Sequence, residues 1–187
     1  MKLFGTSSFI EVYDNALSKD ECDILIDQFK ISPQVFGRVN IRGEDKVIPA
    51  YKKSIELEHL DLSDESVISI IIRDALLPQL IKYREKYSSL SEIAGWGVDE
   101  KYTFKKFETE EDGYHRWHCE QVPGRSDRMG VWMFYLNDAQ GTEFMHYPTV
   151  KAKGGRCVIW PAAWTHAHKS APNKGIKYIV SGWLTYI

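Results

Sequence analysis

Two short stretches of the chain hold residue types that bind metals. In Tyr114-His115-Arg116-Trp117-His118-Cys119-Glu120, an extended backbone would put His118 and Glu120 on one face and Cys119 on the other. In Trp164-Thr165-His166-Ala167-His168, His166 and His168 share a face in the same way, and either could supply a third ligand. Two imidazoles and one carboxylate on one side of a metal are the set that non-haem Fe(II) takes, with the remaining positions left open for a chelating cosubstrate and O2. The cysteines, Cys22, Cys119 and Cys157, form no C-x-x-C pair, so nothing here offers the thiolates of a structural zinc site or a disulfide framework.

A third stretch, Ile176-Lys177-Tyr178-Ile179-Val180-Ser181-Gly182-Trp183, reads as a strand with Lys177, Ile179, Ser181 and Trp183 on one face. A lysine facing a barrel interior is costly unless an anion meets it. Lys177 is therefore a candidate anchor for a dicarboxylate.

These residues need a scaffold. From Tyr102 onward, short runs rich in aromatic and β-branched residues recur at 102–107, 114–120, 129–136, 142–147, 156–160, 164–169 and 176–185. Turn signals such as Glu111-Asp112-Gly113, Pro123-Gly124 and Gly154-Gly155 separate them. Strands at this spacing predict a jelly-roll sandwich or barrel. Upstream, Phe9–Tyr13 reads as a strand. Ser18-Lys19-Asp20-Glu21 is a capping box before a helix over 19–30 that ends at Ser32-Pro33. Residues 36–54 are polar and irregular, with two short strands around Gly43. A second helical stretch starts near Ser63, carries a stripe through Ile68, Ile72 and Leu76, and is kinked or restarted at Pro78. The helices are expected to pad one outer face of a mainly β, α+β fold.

Composition agrees with one globular domain. The 187 residues are 43% hydrophobic and 27% charged, with a formal net charge of −2, so there is no bulk attraction to nucleic acid or to an anionic membrane. The beginning, MKLFGTSSFIEVYDN, lacks the apolar run of a secretory signal, and no apolar run is long enough to span a bilayer. The cytoplasm of a bacterial or infected host cell is the expected compartment. His59, His115 and His146 have no partner pattern and read as surface or loop residues, and Lys105-Lys106 reads as a solvated strand end.

The ordered set GYHRWHCE, VWMFYLND, GTEF, GGRCVIWPAAWTHAHKSAP and KGIKYIVSGW resembles the Fe(II)/2-oxoglutarate-dependent dioxygenases of the prolyl-hydroxylase-like superfamily, closest to small bacterial and bacteriophage members. The resemblance covers residues 100–187 well and FIEVYDNALSKDECDILIDQF more weakly. It implies a double-stranded β-helix (jelly roll, cupin-like) with N-terminal helices packed on one face. It implies one oxygenase domain over residues 1–187, with 1–99 as the N-terminal strand and helices and 100–187 as the catalytic core.

By the same resemblance, His118, Glu120 and His168 are the iron ligands. Lys177 pairs with the far carboxylate of 2-oxoglutarate, Tyr135 hydrogen-bonds that carboxylate, and Trp183 lies beside the cosubstrate. Arg128 stands where some relatives keep a substrate-facing arginine, and with Arg125 it would favour an acidic or carboxylate-bearing substrate. Glu120 replaces the usual Asp, and Phe107 replaces a tyrosine that can contact 2-oxoglutarate. Lys177 follows His168 by nine residues and His166 by eleven, and the Ala171-Pro172 element aligns better with His168. The implied activity is hydroxylation of a C–H bond of a prolyl-like peptide side chain or a small molecule, using Fe(II), 2-oxoglutarate and O2, with ascorbate as an optional reductant and release of succinate and CO2. A non-catalytic jelly-roll module and a cupin-type metalloenzyme without 2-oxoglutarate are the alternatives.

Overall fold

The computed structural model describes residues 7–41 and 43–187, with His59 described by its backbone alone. The readings for residues 1–6 and for the His59 side chain lie outside the described residues. In chain order, β1 (Glu11–Tyr13) leads into α1 (Lys19–Ile31). Four short strands follow: β2 (Val35–Phe36), β3 (Val39–Ile41), β4 (Glu44–Lys46) and β5 (Lys52–Lys53). β6 (Ile55–Asp61), α2 (Val67–Lys86) and α3 (Ser89–Ile93) come next. The second half holds β7 (Trp96–Phe107), β8 (Gly113–Tyr114), β9 (Arg128–Tyr135), β10 (Ala139–Phe144), β11 (Val150–Ala152), β12 (Arg156–Pro161), β13 (His168–Ser170) and β14 (Lys177–Tyr186).

The capping box forms as expected: the Ser18 side chain accepts from the Glu21 N–H, and Glu21 reaches back to the Ser18 N–H. Pro78 neither breaks nor restarts α2, which runs through it as one helix; the ring costs one bond, to the Asp74 carbonyl. β6 was not expected. Its alternation Ile55-Glu56-Leu57-Glu58 is a half-buried strand pattern placed directly before a helix start.

The large sheet has the order β1-β12-β9-β14-β7-β6-β2, and a three-stranded sheet, β11-β10-β13, packs beside it to complete a double-stranded β-helix. The central strands bury both faces. On β9, Trp132 and Phe134 point to the helices, where they meet Leu25, Phe29, Ile72 and Leu76. Val131, Met133 and Tyr135 point inward, toward Phe144 of the small sheet. β14 alternates likewise, with Tyr178, Val180 and Leu184 on the helix side and Lys177 and Ile179 inside. Gly182 stands where the Trp132 indole crosses the sheet; a Cβ there would lie 2.3 Å from it. The expected padding of one face by helices is therefore what the fold shows, and the other face is left to line a cavity.

Two expected strands are not regular. Of 114–120 only Tyr114 belongs to a strand, β8, which pairs with β5. Beyond it three backbone N–H groups go to three separate acceptors: His115 N–H donates to Tyr51 O, His118 N–H to His168 O and Glu120 N–H to Ala162 O. The 164–169 run is split as well. Trp164–His166 forms a turn of 3-10 helix and only His168 begins a strand, so His166 and His168 do not share a face.

Candidate functional site

A cavity of about 1210 Å³ opens between the two sheets, and His118, Glu120, His168 and Lys177 all line it. Backbone hydrogen bonds set the first three. His118 and His168 exchange reciprocal N–H···O bonds of 3.0 and 2.9 Å, and Glu120 is held two residues on by its bond to Ala162 at 3.1 Å. One nitrogen or oxygen from each side chain lies within 4.8 Å of the others. The Nε2 atoms of His118 and His168 are 3.6 and 3.9 Å from Glu120 Oε1.

Those spacings are too long for hydrogen bonds, and the ring orientations explain why. His118 Nδ1 lies 3.0 Å from the Arg116 carbonyl and His168 Nδ1 lies 3.0 Å from the His166 carbonyl. A carbonyl only accepts, so each Nδ1 carries the proton and each Nε2 turns a lone pair to the centre. Burial lowers the pKa of both imidazoles, that of His168 to about 4. Burial alone would raise the Glu120 carboxyl, but the positive charge of either imidazole when protonated, the Arg128 guanidinium and the Trp183 N–H outweigh it and hold it below the usual range. Two lone pairs and an anionic oxygen thus face one point with no proton between them. That arrangement is unfavourable by itself and complementary to a divalent cation, and its all-N/O donor set fits iron(II).

The second oxygen of Glu120 is held in place. Oε2 accepts from Arg128 Nη1 at 3.0 Å and from Trp183 Nε1 at 2.9 Å, while the guanidinium stacks 3.6 Å above the indole. Arg128 and Trp183, expected at the substrate and beside the cosubstrate, are both placed on the carboxylate of the triad. The bracket fixes the longer glutamate arm, leaving one oxygen to face the imidazoles. His166 stands apart: its Nε2 donates to the Ser8 carbonyl at 2.7 Å and its Nδ1 accepts from the Thr165 hydroxyl at 2.9 Å, so neither ring nitrogen is left for a metal.

Lys177 is 2% exposed. Among the described residues its ammonium makes no ion pair or hydrogen bond, and it lies 4.6 Å from the centroid of the Phe107 ring. Burial pulls its pKa down to about 8. A buried ammonium in this state needs an anion from outside the protein, and the cavity it lines leads to the triad. Phe107 offers the ammonium a ring face that a cation tolerates. Tyr135 lines the same cavity, is fully buried, and shares a 2.6 Å bond with Thr142 Oγ1.

Lys105 is the residue that sequence reading misplaced. It is not a solvated strand end: it lines the cavity on the same row of β7 as Thr103 and Phe107, and its ammonium donates to Thr103 Oγ1 and Ser181 Oγ. Alternation from Phe107 was the available signal. His115 and His146 are exposed, as expected.

Residues 102–185 match the profile of the 2OG-Fe(II) oxygenase superfamily. The fold is shared with solved structures of low sequence identity. A viral collagen prolyl hydroxylase from Paramecium bursaria Chlorella virus-1, in its 2-oxoglutarate complex, is 18% identical with a TM-score of 0.66, over 96% of this chain and 97% of that one. A prolyl-4-hydroxylase from Pseudomonas putida is 15% identical with a TM-score of 0.65, over 96% and 94%. A Trichoplax adhaerens prolyl hydroxylase, solved with a peptide of a hypoxia inducible factor degradation domain, is 15% identical with a TM-score of 0.65, over 96% and 84%. No curated relative matches the chain in sequence. Over residues 102–185, the stretch that carries His118, Glu120, His168 and Lys177, the chain is similar to the 2OG-Fe(II) oxygenase superfamily.

Proposed function

We propose that the protein is an Fe(II)- and 2-oxoglutarate-dependent hydroxylase, with His118, Glu120 and His168 as the metal ligands and Lys177 as the anchor of the cosubstrate's far carboxylate. The observation that carries this reading is the pairing, in one cavity, of a proton-free three-donor cluster with a buried lysine that has no counter-ion among the described residues. When bound, the iron couples oxidative decarboxylation of 2-oxoglutarate, to succinate and CO2, to insertion of one oxygen atom of O2 into a substrate C–H bond.

The chain's own residues bind, orient and exclude water. Arg116 and His166 carbonyls hold the two imidazoles in the metal-binding tautomer. Arg128 and Trp183 hold Glu120. Lys177 sets the cosubstrate's direction by charge, and Val131, Met133, Trp160 and Ile179 keep the cavity wall apolar and dry. Tyr135, beside Thr142, completes the polar end in this reading. The buried Lys177 favours this assignment over a cupin-type metalloenzyme without 2-oxoglutarate, which would leave that charge without a partner.

The prolyl-hydroxylase neighbours support a prolyl-like peptide side chain as substrate, with a small molecule of similar shape as the alternative. In this reading residues 1–99 support the catalytic core of 100–187. The free thiols of Cys22, Cys119 and Cys157 support a reducing compartment.

The test is an anaerobic titration with Fe(II) and 2-oxoglutarate, followed by the visible charge-transfer band of the chelate. The band should need both additions, weaken in Lys177→Ala and vanish in Glu120→Ala. Iron binding without a band would overturn the cosubstrate assignment, and no iron binding would overturn the metal site.

A further inference from the structure

The cavity holds a second cation that the reading above does not use. Lys105 lies on β7 in register with Ile179, one step from the Phe107–Lys177 pair. Its side chain runs the other way, toward Thr103 and Ser181, with bonds of 2.5 and 3.0 Å to their hydroxyls. The two ammonium groups therefore stand at separate stations of one cavity, Lys177 against the Phe107 ring and Lys105 toward the triad.

Among the described residues nothing in the wall neutralises Lys105. The carboxylates whose charge reaches it are Glu56 and Glu120. Glu56 is already paired with Lys52 at 2.7 Å, and Glu120 with Arg128 at 3.0 Å. Among the described residues no carboxylate lies within ion-pair distance of the Lys105 ammonium, and hydroxyls solvate a cation without cancelling its charge. A dicarboxylate with one end at the metal and the other at Lys177 leaves Lys105 unmatched.

We propose that Lys105 is a carboxylate anchor for the primary substrate, which carries its acidic group (a free amino-acid carboxylate, a peptide C-terminus or an acidic side chain) into the cavity beside the triad. The proposal rests on the cosubstrate assignment made above, because that assignment reserves Lys177. The cavity wall supports it: Lys52 and Glu56 cancel each other within the lining, so Glu56 has no charge left over for Lys105. The competing source of a carboxylate is the metal-chelating end of 2-oxoglutarate, and the test separates the two.

The test follows the Lys105 side-chain ¹³Cε resonance, identified by its loss in Lys105→Met, in protein loaded with Zn(II) in place of iron. Acetate added after 2-oxoglutarate should shift this resonance saturably, and acetamide should not. No saturable shift up to ~50 mM acetate, or an equal response to acetamide, would overturn the proposal. A shift caused by 2-oxoglutarate itself, which then blocks acetate, would assign Lys105 to the cosubstrate and overturn the substrate role. Failure of the cosubstrate reading has another signature: 2-oxoglutarate leaves the Lys177 resonance unmoved while the acetate response of Lys105 persists. In the iron protein, Lys105→Met should keep the charge-transfer band with 2-oxoglutarate affinity within about twofold, and should weaken carboxylate-bearing substrates by at least about tenfold.

Discussion

His118 and His168 are joined through their backbones, each donating its N–H to the carbonyl of the other across an isolated antiparallel bridge. Side chains of such a pair leave the backbone on the same side, and the rings stand 4.3 Å apart between centroids. Because the bridge is main chain, truncating either ring removes a ligand and leaves the bridge in place. His118→Ala and His168→Ala should fold and should lose Fe(II) binding by at least about tenfold, measured by anaerobic equilibrium titration.

His166→Ala should behave in the opposite way. Its ring holds the Ser8 carbonyl and stacks on Tyr147 at 5.0 Å, away from the triad. Iron affinity should stay within about twofold, while amide exchange should speed up around Ser8. A loss of iron affinity equal to that of His168→Ala would reassign the distal ligand.

Trp183→Phe keeps an aromatic surface under Arg128 and deletes the N–H that holds Glu120 Oε2. Partners one step behind a metal ligand are worth roughly 10- to 100-fold in affinity. We expect a loss in that range, with thermal unfolding of the metal-free protein little changed.

Lys177 makes a stability prediction with a sign. Its folded pKa is about 8 against an ordinary 10.5. Between these values the unfolded chain keeps the proton that the folded chain has lost, so stability rises as pH climbs through this window and the full cost is present below it. Lys177→Met should stabilise the cosubstrate-free protein at pH 7 by ~1–3 kcal/mol, with the gain shrinking above about pH 8. Urea unfolding at pH 7 and at about pH 9.5 checks it. Added 2-oxoglutarate should stabilise the parent protein more than Lys177→Met.

Gly182→Ala should destabilise by ~1–3 kcal/mol or more, since the new methyl meets the Trp132 indole, which the surrounding core leaves little room to move. Gly97, on the neighbouring strand, has nothing within 4 Å of its would-be Cβ. Gly97→Ala should change stability by no more than about 0.5 kcal/mol by the same unfolding measurement.

Much of this molecule can be read from residue order alone, for reasons that are local. The α1 cap, the jelly-roll strands and the lysine facing inward on β14 follow from spacing, because period-2 alternation and capping chemistry act within a few residues. What spacing could not show was non-local. His118 and Glu120 come together through bonds to His168 and Ala162 rather than through one strand. The Arg128–Trp183 bracket forms between strands 55 residues apart. Lys105 looked solvated because its neighbour Lys106 is charged as well; the two point to opposite faces, Lys106 toward Glu108 and Lys105 into the cavity.

The alternation along β14 separates two kinds of heritable change. At positions 178, 180 and 184 a substitution is judged by the fit of the helices and sheet; at 177, 179, 181 and 183 it is judged by what the cavity accepts. A lineage can therefore explore new substrates along the second set while the first keeps the fold intact. An insertion or deletion of a single residue has no such freedom, since it would exchange the two sets at one stroke, turning Lys177 toward the helices and Tyr178 toward the cavity.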